Sequence, residues 1–151
     1  MIEYINKCMP FQKKECYFGN REYKIYLDIE TEEQLKIKSK KNKSNDCIDN
    51  LKNIKNMYKL NKRASQLKFR LDEGSGKALY LIGVSDSGRT DGIDIETIYK
   101  SINYLHKMAE IINANIKNIR IYKGICNDKY ICSSRIDIPN YMNNAYPQIN
   151  E

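Results

Sequence analysis

The sequence predicts an α+β domain: a two-layer α/β sandwich of order β-α-β-α-β-β, with two helices on one face of a mixed sheet. Three observations carry this expectation. Apolar residues alternate strictly at Tyr23, Ile25, Leu27 and Ile29; two stretches with a helical period follow, divided by a continuous apolar run at 78–84; and a second alternation closes the pattern near the C-terminal end.

Residues 1–21 carry Ile2, Tyr4, Ile5, Met9, Phe11, Tyr17 and Phe18 without a clear period and end at a Gly19-Asn20 turn signal, which leaves an N-terminal arm or a short packed element open. Residues 22–139 read as a single α/β domain. Its first strand places Tyr23, Ile25, Leu27 and Ile29 on the buried face and Glu22, Lys24, Tyr26 and Asp28 on the other. A polar, Lys-rich stretch follows from residue 30. From Asp46 the period changes: Ile48, Leu51, Ile54 and Met57, then Leu60, Ala64, Leu67 and Leu71, mark helical faces, and Gly74-Ser75-Gly76 supplies the stop.

The run Ala78-Leu79-Tyr80-Leu81-Ile82-Gly83-Val84 has strand length and no polar face, as expected of a central strand covered on both sides. Asp94 stands at an N-cap position before a helix with the stripe Ile95, Ile98, Ile102, Leu105, Ala109 and Ile112, closed at residues 113–115. A strand near 115–125, a turn at Asn127-Asp128 and a strand over 130–138 form a final hairpin that Pro139 stops. The strands joined by the first helix should be parallel and the last pair antiparallel. Residues 140–151 read as a flexible C-terminal tail.

The chain of 151 residues has a net charge of +7, and the position of that charge is more informative than its size. Between Lys36 and Arg63 stand Lys36, Lys38, Lys40, Lys41, Lys43, Lys52, Lys55, Lys59, Lys62 and Arg63, opposed only by Asp46 and Asp49, a balance of +8, so the remainder sums to −1. A uniformly basic coat is thereby excluded, leaving a near-neutral domain with one basic segment. These ten side chains are the candidate phosphate contacts: clustered cations neutralise phosphates and release counterions without reading sequence. Tyr58 alone interrupts them as a stacking aromatic, so base-specific readout is not indicated.

No apolar run reaches the length of a membrane span and the N-terminus lacks the pattern of a signal peptide, so a cytoplasmic protein with no membrane partner is expected. Five cysteines (Cys8, Cys16, Cys47, Cys126 and Cys132), odd in number and never spaced Cys-x-x-Cys, read as reduced thiols rather than a disulfide framework or zinc site, with Cys126 and Cys132 as buried thiols on the final hairpin. His106 reads as a partly buried structural histidine. Asp72, Glu73, Asp86, Asp91 and Asp94 flank turns and a helix start. No catalytic, cofactor-binding or metal-ligating set emerges, and no enzyme, metal or cofactor is expected. Gly74-Ser75-Gly76-Lys77 is no phosphate-binding loop, since Leu71 and Ala78 occupy the places of the first Gly and the Ser/Thr, and the segment leads from helix to strand.

The stretch Gln66-Leu67-Lys68-Phe69-Arg70-Leu71-Asp72-Glu73-Gly74-Ser75-Gly76-Lys77-Ala78-Leu79-Tyr80-Leu81-Ile82-Gly83-Val84, followed by Gly88 and Gly92 in an acidic turn, resembles the region before the GTPase domain in the GTP-binding protein 1 and 2 family of translational GTPases. The resemblance implies an N-terminal accessory domain of that family without the GTPase domain. Arg70, Asp72, Glu73, Gly74, Gly76, Tyr80, Gly83, Gly88 and Gly92 are then motif positions with an architectural role, and residues 30–59 are an insertion relative to the family. No Gly-x-x-x-x-Gly-Lys-Ser/Thr element occurs in these residues, so GTP hydrolysis does not carry over. The implied function is a non-catalytic module docking on the ribosome, on RNA, or on a translational GTPase or rescue factor. The alternative is a protein-interaction module or a truncated, virus-encoded remnant that competes with a full-length GTPase. Nothing in the residues indicates an oligomeric state.

Overall fold

The computed structural model describes residues 1–27, 46–139 and 141, with the backbone alone for residues 46–50. Among these residues the chain forms five strands and two helices: β1 (Ile2–Cys8), β2 (Arg21–Lys24), α1 (Asp46–Glu73), β3 (Lys77–Ile82), α2 (Ile95–Ile111), β4 (Asn115–Lys123) and β5 (Tyr130–Asp137). The sheet order is β1-β4-β5-β3-β2. β2 and β3 run parallel, with Glu22 opposite Tyr80, and β4 and β5 form the antiparallel hairpin. The mixed α+β sandwich predicted from periodicity is therefore present.

One strand more than expected occupies an edge. β1 lies parallel to β4, with Ile2 opposite Ile119 and Tyr4 opposite Ile121. It shows no alternation in sequence because an edge strand buries little: only Ile2 and Ile5 are even half-buried.

The predicted first strand is shorter than its alternation. β2 ends at Lys24 and the chain bends at Ile25, which is 56% exposed, whereas Leu27 returns to the core. Glu22, expected to face solvent, is buried beside Tyr23 because a cation from α1 compensates its charge. Asp28 and Ile29 lie outside the described residues, as do the Lys-rich stretch at 30–45 and the expected tail, apart from Tyr141.

Both helices cover one face of the sheet. Ala64, Leu67 and Leu71 of α1 meet Tyr104, Leu105, Met108 and Ala109 of α2 over Ala78, Tyr80 and Ile136. Ile98 and Ile102 continue that layer over Ile82, Ile121 and Cys132. On the opposite face Tyr23, Leu81 and Ile131 pack with Met9 and Val84, so β3 is covered on both sides. The N-terminal half of α1 does not join the core: Leu51, Ile54 and Met57, expected on a buried stripe, are each about 60% exposed. Periodicity announced the helix there without announcing a partner for it.

The helix ends follow local chemistry. In α1 the Gly76 amide bonds the Leu71 carbonyl at 2.7 Å and the Ser75 amide bonds the Asp72 carbonyl at 3.4 Å, a Schellman closure with Ser75 itself at φ 54°. α2 closes the same way: Ala114 bonds Ala109 at 2.9 Å, with Asn113 at φ 55°. At its start the Asp94 carboxylate accepts from the Thr97 amide at 3.2 Å.

Candidate nucleic-acid interface

The described part of the basic segment forms one helical stripe. Lys52, Lys55, Lys59 and Lys62 stand at spacings of three, four and three in α1, which confines them to one side of the helix over a rise of about 15 Å. Lys52, Lys55 and Lys62 are exposed, and Lys59 and Arg63 are half-buried. Lys59, Lys62 and Arg63, with Ser65, Gln66 and Lys24 of β2, line an open groove of about 560 Å³. Among the described residues its lining holds no carboxylate. Lys24, absent from the sequence-based set, is brought there by β2 and approaches Glu22 at 3.7 Å.

Arg63 is engaged within the fold. Its guanidinium donates to the Tyr104 hydroxyl at 3.2 Å and lies 5.4 Å from that ring, which ties α1 to α2. Tyr58, 70% exposed, remains beside the stripe as the stacking aromatic expected there. Lys36, Lys38, Lys40, Lys41 and Lys43 lie outside the described residues.

The motif residues form a buried device at the other end of α1. Arg70 is 4% exposed, and its Nε and Nη2 donate to Glu22 Oε2 at 3.2 and 3.1 Å. The same guanidinium donates to the main-chain carbonyls of Cys16, Tyr17 and Gly19 at 2.9–3.2 Å. Only a planar fork of donors can hold a carboxylate and three carbonyls together. Glu73 accepts from the Gly19 amide at 3.2 Å, and Asp72 accepts from Lys68 at 2.9 Å and from the Tyr141 hydroxyl at 3.1 Å.

Tyr80 sits opposite Glu22 in the parallel register, fully buried, and its hydroxyl has no hydrogen-bond partner among the described residues. Burial, and next the charge of Glu22, push its pKa upward, so it stays a neutral phenol. Glu15 accepts from the amide of Tyr23, and burial holds its pKa above the usual carboxylate value. Gly88 takes φ 93° directly against the Gln12 carbonyl, where any side chain would collide. Gly83 and Gly92 face each other across a 3.1 Å amide-to-carbonyl bond beside Tyr130, and Gly74 and Gly76 belong to the α1 stop. Arg70 and Glu73 thus hold the arm, the glycines shape turns, and Tyr80 fills the core.

Two expectations are corrected. His106 is exposed on α2 rather than partly buried. Of the cysteines, Cys8, Cys16 and Cys126 are exposed, and Cys132 alone of the described ones is buried; burial, opposed by the Ser134 hydroxyl, pushes its thiol up to about 11. Among the described residues no three His, Cys, Asp or Glu side chains group as metal ligands, and no helix is long and apolar enough to cross a membrane.

No family model and no solved structure matches the chain. GTP-binding protein 2 of Mus musculus and GTP-binding protein 2 of Homo sapiens are each 41% identical to it over 63 residues. That segment is 42% of this chain and 10% of either relative, so the chain matches about a tenth of their length. The chain is thus similar, over that segment, to part of a GTP-binding protein.

Proposed function

We propose that the chain is a non-catalytic accessory module, similar to the N-terminal part of translational GTPases of the GTP-binding protein 1 and 2 type, that docks on the ribosome or RNA in the cytoplasm. The observation that carries this reading is the groove of Lys24, Lys59, Lys62 and Arg63, continued along α1 by Lys52 and Lys55. A row of cations on one helix face is an electrostatic footprint for a phosphate backbone. The similarity to GTP-binding protein 2 supports a setting beside a GTPase.

The test is co-sedimentation with ribosomes at low salt. The quadruple variant Lys52→Gln, Lys55→Gln, Lys59→Gln, Lys62→Gln should remain in the supernatant while the parent chain pellets; equal pelleting of the two would overturn the reading. A second reading, a protein-interaction module that competes with a full-length GTPase, is favoured by exposed Leu51, Ile54 and Met57 on the same helix. A partner retained after nuclease treatment and lost on changing those three residues to Ser would favour it.

A further inference from the structure

The arm after β1 builds a second groove, on the sheet face away from the helices. Phe11, Lys13, Lys14, Phe18 and Arg21 line an opening of about 510 Å³ that also has Tyr23 in its wall, and among the described residues its lining holds no carboxylate. Phe11 is 58% exposed and Phe18 69% exposed, and the Arg89 guanidinium lies 5.4 Å from the Phe11 ring. Tyr17, 78% exposed, packs edge-on against Phe18 with ring centroids 4.9 Å apart. Aromatic rings in solvent among four cations are an unfavourable surface to leave bare.

The rings stand on a fixed platform. The Gln12 and Glu15 amides donate to the carbonyls of Gly88 and Asp86 at 2.8 Å, Thr90 donates to the Met9 carbonyl at 2.8 Å, and Arg70 holds the carbonyls of Cys16, Tyr17 and Gly19. Little conformational freedom remains to be lost when a ligand stacks there.

We infer that this groove is a stacking site for the bases of single-stranded RNA, with Phe11 and Phe18 as the platforms and Lys13, Lys14 and Arg21 against the phosphates. Base stacking on aromatics beside a cationic track is sequence-tolerant and needs no base-edge contacts. The sheet edge also disfavours an extended peptide as occupant. The Asn20 carbonyl accepts from Leu79 of β3 and the Lys24 carbonyl from Gly83 and Val84 just beyond it, so the Tyr23 amide faces outward, and the Glu15 carboxylate already caps it. This inference rests on the RNA-binding reading and adds to it a second site, chemically distinct from the Lys stripe.

The experiment titrates the full chain into a single-stranded RNA oligonucleotide carrying 2-aminopurine, with its duplex and an acidic peptide as comparisons. The parent chain should alter the 2-aminopurine fluorescence of the single strand and bind it more tightly than the duplex. Phe11→Leu with Phe18→Leu, two exposed changes whose folding circular dichroism checks, should weaken binding about fivefold or more per ring and abolish the fluorescence change. The Lys52/Lys55/Lys59/Lys62 variant should keep the fluorescence change while losing affinity. A folded ring variant that binds and reports like the parent overturns the stacking site alone. No RNA binding by the parent chain, or binding of the acidic peptide instead, overturns it together with the RNA reading.

Discussion

Replacing Arg70 with Met tests the buried device that fixes the arm to the sheet. The substitution keeps much of the volume, removes the charge, and leaves Glu22, 2% exposed, with Lys24 at 3.7 Å as its cationic neighbour among the described residues. Breaking a buried pair by removing one partner costs about 3–5 kcal/mol, because the remaining charge is uncompensated. Lys24 is 28% exposed and supplies some relief, so the low end, about 3 kcal/mol, is expected. For a domain of this size that lowers Tm by about 6–12 °C. Urea unfolding followed by circular dichroism measures it. The double variant Glu22→Gln, Arg70→Met should recover part of the loss, since no buried charge then remains, and its coupling in a double-mutant cycle should reach about 1 kcal/mol or more. Hydrogen exchange should also rise at the Gln12 and Glu15 amides in both variants, because the carbonyls of Cys16, Tyr17 and Gly19 lose their donor. An Arg70→Met protein within about 1 kcal/mol of the parent, with unchanged arm exchange, would refute the reasoning.

Three further predictions concern Glu15, Asp94 and the described cysteines. Glu15 has its pKa raised by burial, so its contribution to stability is full below its unfolded pKa and is lost as pH rises through the folded one; Glu15→Gln, which keeps an acceptor for the Tyr23 amide, should be at least as stable as the parent at pH 7 and lose that advantage in acid, as thermal melts across pH would show. Asp94→Ala removes the cap of α2 and should cost about 1 kcal/mol in urea unfolding, and the parent's advantage should itself fade in acid: burial pushes Asp94 upward, yet the Thr97 hydrogen bonds outweigh it and leave the pKa lowered. Peptide mapping after brief iodoacetamide treatment at pH 8 should find Cys8, Cys16 and Cys126 alkylated and Cys132 protected until the chain unfolds.

The parts of the fold that depend on local chemistry were legible in the sequence. The Asp94 cap, the Asn113 closure, the Asn127-Asp128 turn and the apolar run of β3 from Ala78 onward each act through neighbours within a few residues. What the sequence did not disclose depends on partners far along the chain. Glu22 and Arg70 are 48 residues apart, and no periodicity tells that one charge is buried because the other is. Alternation at Ile25 and Ile29 suggested a longer strand, yet alternation reports the faces of an extended chain without fixing where it bends. The helical period at Leu51, Ile54 and Met57 gave the helix and overstated its burial, since α2 and the sheet meet α1 only from about Leu60 onward. The candidate interface was half legible. The Lys stripe lies on consecutive turns of one helix and shows in spacing alone, while Lys24 joins it only through the parallel crossover. The aromatic groove was hidden because residues 9–20 have no period; they are shaped by Arg70 and by the 85–90 loop.

The central claim is that the cationic face of α1 meets a phosphate backbone, and the salt dependence of RNA affinity tests it most directly. Affinity of the parent chain for a single-stranded RNA should fall steeply as salt rises, by about 0.7 logarithmic units per tenfold salt for each phosphate neutralised. Removing Lys52, Lys55, Lys59 and Lys62 should flatten that slope by up to about 3. A parent chain whose affinity barely changes with salt, or a quadruple variant with the same slope and affinity as the parent, would contradict the account.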